Sequence, residues 1–215
     1  MKGKQQSGHQ GLSGLAASDS SEIEKYYDQW AEDYDRDLQS WRYQAPDRAA
    51  NILTRHLGPD AAILDAGCGT GLTGKALAAA GFKVIDGMDL SEKSLQTARK
   101  YGVYRSLKQV NLQELPLPAE DNAYQGLECI GVLTYVPESK DLLREFCRVV
   151  RSGGTIVLTQ RNDIFEERDF RATVNEIASE GRWEVLDISE PKPYLPEHEE
   201  YADEIMIHYI TCRVL

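Results

Sequence analysis

Residues 63–71 read Ile63-Leu64-Asp65-Ala66-Gly67-Cys68-Gly69-Thr70-Gly71, and this stretch decides the fold. A short apolar run ends in an acid, and three glycines then alternate with Cys68 and Thr70. The apolar run suits a parallel strand buried on both faces. The glycines allow a sharp turn that brings bare backbone against a ligand. In an open α/β sheet, that position at the carboxyl end of a strand is where nucleotide-like molecules bind.

The same stretch contains Gly69-x-Gly71-x-x-Gly74, a literal dinucleotide fingerprint, but a lone match of that kind carries little weight. Two details argue against a pyrophosphate ligand. Asp65 stands just before the first glycine, where it repels phosphate but can accept hydrogen bonds from an ammonium group or a placed water. The tight turn is Gly67-x-Gly69-x-Gly71, one residue shorter than the dinucleotide form. An acid followed by this shorter turn resembles motif I of the class I S-adenosylmethionine-dependent methyltransferases. The resemblance implies that Asp65, Gly67, Cys68, Gly69, Thr70 and Gly71 cradle S-adenosylmethionine, with S-adenosylhomocysteine as the product.

Outward from this stretch, strands and helices alternate. Strands are predicted at 61–66, 83–88, 104–110, 124–130, 155–160, 183–189 and 204–214. Helices are predicted at 72–80, from Ser91 to Gly102, at 138–150, and before Gly181, with Ser152-Gly153-Gly154 turning into the fifth strand. The alternation implies an α/β fold: a Rossmann-like, doubly wound, mostly parallel seven-stranded sheet with an antiparallel last strand and helices on both faces. Upstream, Ile23, Tyr26, Tyr27, Trp30 and Tyr34 recur at helical spacing, and a second helix opens at Pro46 and closes at Gly58-Pro59. Residues 1–21 hold four glycines and five serines and read as a disordered leader. Residues 22–215 then form one methyltransferase domain. Within it, 22–58 make an N-terminal helical lid, 61–160 the cofactor-binding core, and 161–215 the rest of the sheet and the substrate side.

Asp89 ends the second strand, 18 residues beyond Gly71, where an acid can accept bonds from both ribose hydroxyls. Asp86 is the rival acid, but it falls within the strand. Further resemblances extend the match over about 26–160. Val110-Asn111-Leu112 stands where the family has Gly-Asp-Ala, so Asn111 would accept from the adenine amino group and Leu112 would offer its backbone N–H; Leu90 would lie beside the ribose. Tyr27 to Asp35 resembles the family's aromatic opening, which implies a lid in which Tyr27, Tyr34 and Tyr43 exclude water and present ring faces to the sulfonium. Backbone near Ile130 would meet the methionine part. Tyr135 stands where the family often has His. Tyr43-x-Ala45-Pro46, Gly71-Leu72-Thr73-Gly74, Gly87-Met88-Asp89-Leu90-Ser91 and Gly131-Val132-Leu133-Thr134 are most similar to the Williams–Beuren syndrome chromosome region methyltransferase-like group. No catalytic base is legible; Tyr135, His208 and Glu128 are the candidates.

Composition narrows the partners. The chain has 215 residues, 41% of them hydrophobic, and a net charge of −11. No basic face is visible, so nucleic acid is not expected as a partner. No apolar run reaches membrane-span length. Four scattered cysteines suit a reduced, cytoplasmic setting, and His9, His56, His198 and His208 show no metal-ligand spacing. The expected activity is methyl transfer to a small-molecule acceptor. Three other readings stay open: a non-catalytic S-adenosylmethionine-binding protein, a protein or nucleic-acid methyltransferase, and an NAD-dependent oxidoreductase. Nothing in the sequence sets the oligomeric state.

Overall fold

The computed structural model of the chain describes residues 38, 41–198 and 205–215. The strands are β1 (Ala62–Ala66), β2 (Val84–Asp89), β3 (Ser106–Gln109), β4 (Tyr124–Cys129), β5 (Val150–Arg161), β6 (Trp183–Ile188), β7 (Lys192–Pro193) and β8 (Met206–Val214). They form one sheet in the order β3-β2-β1-β4-β5-β8-β6, with β7 pairing onto β8. The pairings among β1 to β5 are parallel, and β8 runs antiparallel between β5 and β6. The doubly wound arrangement with one reversed strand is therefore present, with the two-residue β7 added to the seven expected strands.

Helices cover both faces. Their spans are α1 (Ala45–Leu53), α2 (Leu72–Ala79), α3 (Glu92–Arg99), α4 (Ser139–Val149), α5 (Asn162–Glu167) and α6 (Phe170–Ser179). Adjacent strand residues point to opposite faces, and in β1 both sets are apolar. Ile63, with Ile85 and Val157, packs against Ala49, Leu53 and Leu77 of α1 and α2. Leu64 and Ala66, with Leu127 and Leu158, pack against Leu143 and Phe146 of α4 and Phe170 of α6.

Several boundaries differ from the sequence expectation. β5 starts at Val150 and runs through Ser152-Gly153-Gly154 instead of turning there. Tyr124 pairs with Val150 and Gly126 with Thr155, so β5 carries extra residues in a bulge, with Gly153 at φ 76°. The helix before Gly181 is two helices, broken at Asp169 (φ 43°), whose carboxylate accepts from the Ala172 amide at 3.3 Å and caps α6. α1 stops at Leu53, short of Gly58. The stripe from Ile23 to Tyr34, and with it the first part of the expected lid, lies outside the described residues.

One arginine fixes the loop that leads from β3 to β4. Arg148 of α4 donates to Glu145 (2.6 and 3.0 Å), Asp121 (2.6 Å), and the carbonyls of Ala119 (2.9 Å) and Leu117 (3.1 Å). Glu145 also accepts from the Leu117 amide at 2.7 Å. Only a planar guanidinium fork serves acceptors spread this widely. Arg148→Lys should lower the unfolding free energy by about 1–2 kcal/mol in urea titration. An unchanged midpoint would mean that the fork does not hold this loop.

Candidate functional site

The glycine turn is the wall of a cleft at the carboxyl ends of the parallel strands. The amides of Gly67 (2.7 Å) and Cys68 (3.0 Å) both donate to the carbonyl of Met88, which ties the turn to β2. Gly67 has φ 82°, and a Cβ there would overlap Cγ2 of Val132 in the loop after β4. No other residue fits this crossing. Gly71 begins α2 at φ 97°, with Ala98 of α3 3.0 Å from where a Cβ would stand. Its role is packing between helices.

The cleft is lined by Gly67, Gly69, Thr70, Asp89, Leu90, Asn111, Leu112, Ile130 and Tyr135 among the expected residues. Asp89 stands at its lip. One carboxylate oxygen accepts from the Gly69 amide at 2.8 Å and the other from the Ser91 amide at 2.9 Å. Ser91 then caps α3 by accepting from the Ser94 amide at 3.0 Å. Asp86 is separated from the cleft by its own network: it accepts from Arg105, from Ser106 at 2.9 Å and from Tyr124 at 3.1 Å. Burial would raise its pKa, but the hydrogen bonds and charge of Arg105 bring it below the usual carboxylate range.

Within the 65–71 stretch, three of the expected residues do not line the cleft. Asp65 is fully buried behind the glycine turn. Its Oδ2 accepts from Thr73 Oγ1 at 2.6 Å and from Tyr104 OH at 2.7 Å, while Tyr104 OH accepts from the Gly74 amide at 3.0 Å. Burial lifts Asp65 to about 7 against the lowering hydrogen bonds. Cys68 is buried, with its sulfur packed over Gly87, and burial pushes its thiol well up. Gly71 serves the helix contact already described.

The other candidates separate sharply. Tyr43 reaches the Gly131 loop, where its hydroxyl accepts from Tyr194 OH at 3.4 Å and the two rings meet edge-on at 5.0 Å. Tyr27 and Tyr34 lie outside the described residues. His208 is not at the cleft: it is buried, with Nδ1 at 2.8 Å from the Ser189 carbonyl, Nε2 at 2.9 Å from Asn162 Oδ1, and its ring stacked on Phe165. Glu128 is buried beside Asp65 and reaches no cleft wall. Among the described residues no three His, Cys, Asp or Glu side chains gather so as to hold a metal ion.

A smaller hollow adjoins the cleft and shares Gly131 and Tyr135 with it. Thr134, Thr159, Arg161, Tyr194, Ile205 and Ile207 complete its walls. Thr159 Oγ1 accepts from the Gly131 amide at 2.8 Å and so fixes the boundary between the spaces. Arg161 is held by Asp163 at 2.5 and 3.1 Å. Burial raises Tyr194 to about 12, so its hydroxyl stays protonated at neutral pH. Sequence reading missed Tyr104 and Tyr194, because each acts on a partner distant in the chain and neither sits in a local motif.

A methyltransferase domain family matches residues 64–158. The chain belongs to the class I S-adenosylmethionine-dependent methyltransferases. Human methyltransferase-like protein 27 is 34% identical over 167 residues, covering 75% of this chain and 68% of that protein. The ubiquinone biosynthesis O-methyltransferase of Bordetella avium is 33% identical over 106 residues, 46% of this chain but only 42% of that protein's length. The structure of geranyl diphosphate C-methyltransferase from Streptomyces coelicolor, in complex with Mg²⁺, geranyl diphosphate and S-adenosyl-L-homocysteine, shares the fold. Its TM-score is 0.62 at 18% identity, over 85% of this chain and 84% of that one.

The literal Gly69-x-Gly71-x-x-Gly74 match has a packing cause. A Cβ on Gly74 would overlap the ring and hydroxyl of Tyr104, the group that bonds Asp65. Gly74→Ala should therefore displace Tyr104 and cost about 1–3 kcal/mol, read from thermal or urea unfolding. A variant as stable as the wild type would show that Tyr104 does not need this space.

Proposed function

We propose that this chain transfers the methyl group of S-adenosylmethionine to a small-molecule acceptor seated in the chamber beside Gly131. The observation that carries the reading is that this chamber adjoins the cleft across Gly131 and Tyr135, with a mixed lining of hydroxyls, one arginine and two isoleucines. The ubiquinone O-methyltransferase relatives carry a small molecule in their name, which agrees with this reading.

The residues fit the cofactor. Gly67 keeps the wall bare where a side chain would collide with Val132, and Asp89 offers acceptor oxygens at the lip. Gly67, Gly69, Thr70, Asp89, Leu90, Asn111, Leu112 and Ile130 are assigned to holding it. Bound S-adenosylmethionine supplies an already activated methyl group. The protein's contribution is then alignment: holding the acceptor in line and excluding water. Tyr135 lines both spaces and is the side chain best placed to assist an acceptor that must lose a proton. A reduced, cytoplasmic setting suits the four free, buried cysteines. Among the described residues no helix is long and apolar enough to cross a membrane.

The test is transfer of labelled methyl to metabolite extract, protein lysate, RNA and DNA. Label confined to the metabolites is expected, and label confined to a macromolecular fraction would overturn the acceptor class. In calorimetry, S-adenosylhomocysteine should bind and NAD should not. Asp89→Ala should weaken S-adenosylhomocysteine binding by about 1–3 kcal/mol with the fold retained. An unchanged dissociation constant would remove Asp89 from the cofactor contacts.

A further inference from the structure

Asp65 and Glu128 are direct partners across the parallel β1–β4 pairing, so their side chains leave the sheet on the same face. Both are fully buried. Oδ2 of Asp65 is satisfied by Thr73 and Tyr104, but Oδ1 of Asp65 and both carboxyl oxygens of Glu128 have no hydrogen-bond partner. The titratable groups around the pair are Tyr104, which bonds Asp65, Cys68 on the glycine turn, Asp89 at the end of β2, and Cys129 next to Glu128. Among the described residues no Lys, Arg or His charge acts on either carboxyl.

Two ionised carboxylates side by side in a dry interior, with no cation, are strongly disfavoured. Such a pair retains a proton. A proton on Glu128 would make a carboxylic O–H on the same face of the sheet as Asp65, and a bond from it to Oδ1 would account for two of the three orphaned oxygens. The remaining oxygen is the carbonyl of a neutral acid, which is the least costly of the three to leave unmet.

We propose that Glu128 is a positioning residue: as a neutral acid it donates to Oδ1 of Asp65, adds a third donor to Thr73 and Tyr104, and so fixes the carboxyl end of β1 and the glycine turn that follows. The inference rests on the cofactor reading only for its binding consequence; the shared proton itself belongs to the ligand-free protein. It also removes Glu128 from the catalytic bases, because an acid engaged in this way cannot take a proton from an acceptor.

The sign of the pH effect follows from the direction of the shifts. Burial lifts Asp65 to about 7, and burial together with the Asp65 charge raises Glu128 well above the carboxyl range. Groups raised in the folded state contribute stability that is complete below the ordinary carboxyl range. That contribution is lost as pH rises through 7 and beyond. Glu128→Gln keeps a donor toward Asp65 and cannot ionise. Glu128→Met keeps the length of the side chain and removes the donor.

Three measurements decide. Between pH 6 and 8.5 the unfolding midpoint of the wild type should fall by roughly 3–5 °C more than that of Glu128→Gln. Infrared difference spectra of ligand-free protein should show a protonated carboxylic acid in the wild type that Glu128→Gln lacks. Calorimetric affinity for S-adenosylhomocysteine should fall with pH in the wild type beyond the ligand's own titration, which Glu128→Gln reports. Glu128→Met should bind it roughly tenfold more weakly at every pH. Parallel pH profiles for wild type and Glu128→Gln, with no protonated-acid band, would overturn the proposal. The first two readouts need no ligand, so a protein that failed to bind S-adenosylhomocysteine would defeat the cofactor reading and leave the proton pair decided on its own evidence.

Discussion

The glycine turn after β1 has to pass within contact distance of two neighbours at once, and the rest of the site depends on that crossing. On one side it lies against the loop after β4, where a side chain at residue 67 would overlap Val132. On the other it is stitched to β2, with two amides on the Met88 carbonyl and the Gly69 amide on Asp89. A strand-to-helix turn with any Cβ at residue 67 would need left-handed backbone as well as room that does not exist. With it absent, β1, β2 and β4 come together at their carboxyl ends, and bare backbone faces the cleft at residue 67.

Three acids near this crossing show how environment sorts one residue type into three uses. Asp65 is walled off behind the turn, where it takes two hydroxyl donors and acts as a buttress. Asp86 is consumed by Arg105, Ser106 and Tyr124. Asp89, at the last position of β2, keeps both oxygens at the lip of the cleft, steadied by the Gly69 and Ser91 amides. The same alternation that buries Asp65 also buries its partner Glu128, so the strand pairing that builds the cleft creates a like-charged pair beneath it. The adjoining hollow is built differently. Tyr43, Tyr135 and Tyr194 come from three separate parts of the chain and meet at Gly131, whose amide is fixed by Thr159.

Much of this was written in local sequence. The Asp65-to-Gly71 turn, the strand-end position of Asp89 and the capping role of Ser91 depend on a few consecutive residues, and so do the alternating elements around them. Apolar periodicity and glycine placement report backbone geometry directly. What the sequence could not determine is which side chains meet once distant strands lie together. The sequence puts Asp65 before the glycine turn and Glu128 in the fourth strand, but only the β1–β4 register makes them neighbours. It marks His208 as an available imidazole, but the β5–β8 pairing and α5 place it against Asn162 and Phe165, away from the cleft. Tyr104 and Tyr194 reach their partners across 39 and 151 residues, and the bulge in β5 answers to pairing with β4 rather than to its own Ser-Gly-Gly turn signal. Local backbone preference is encoded residue by residue, whereas burial, pairing and charge are properties of neighbours that only the folded sheet supplies.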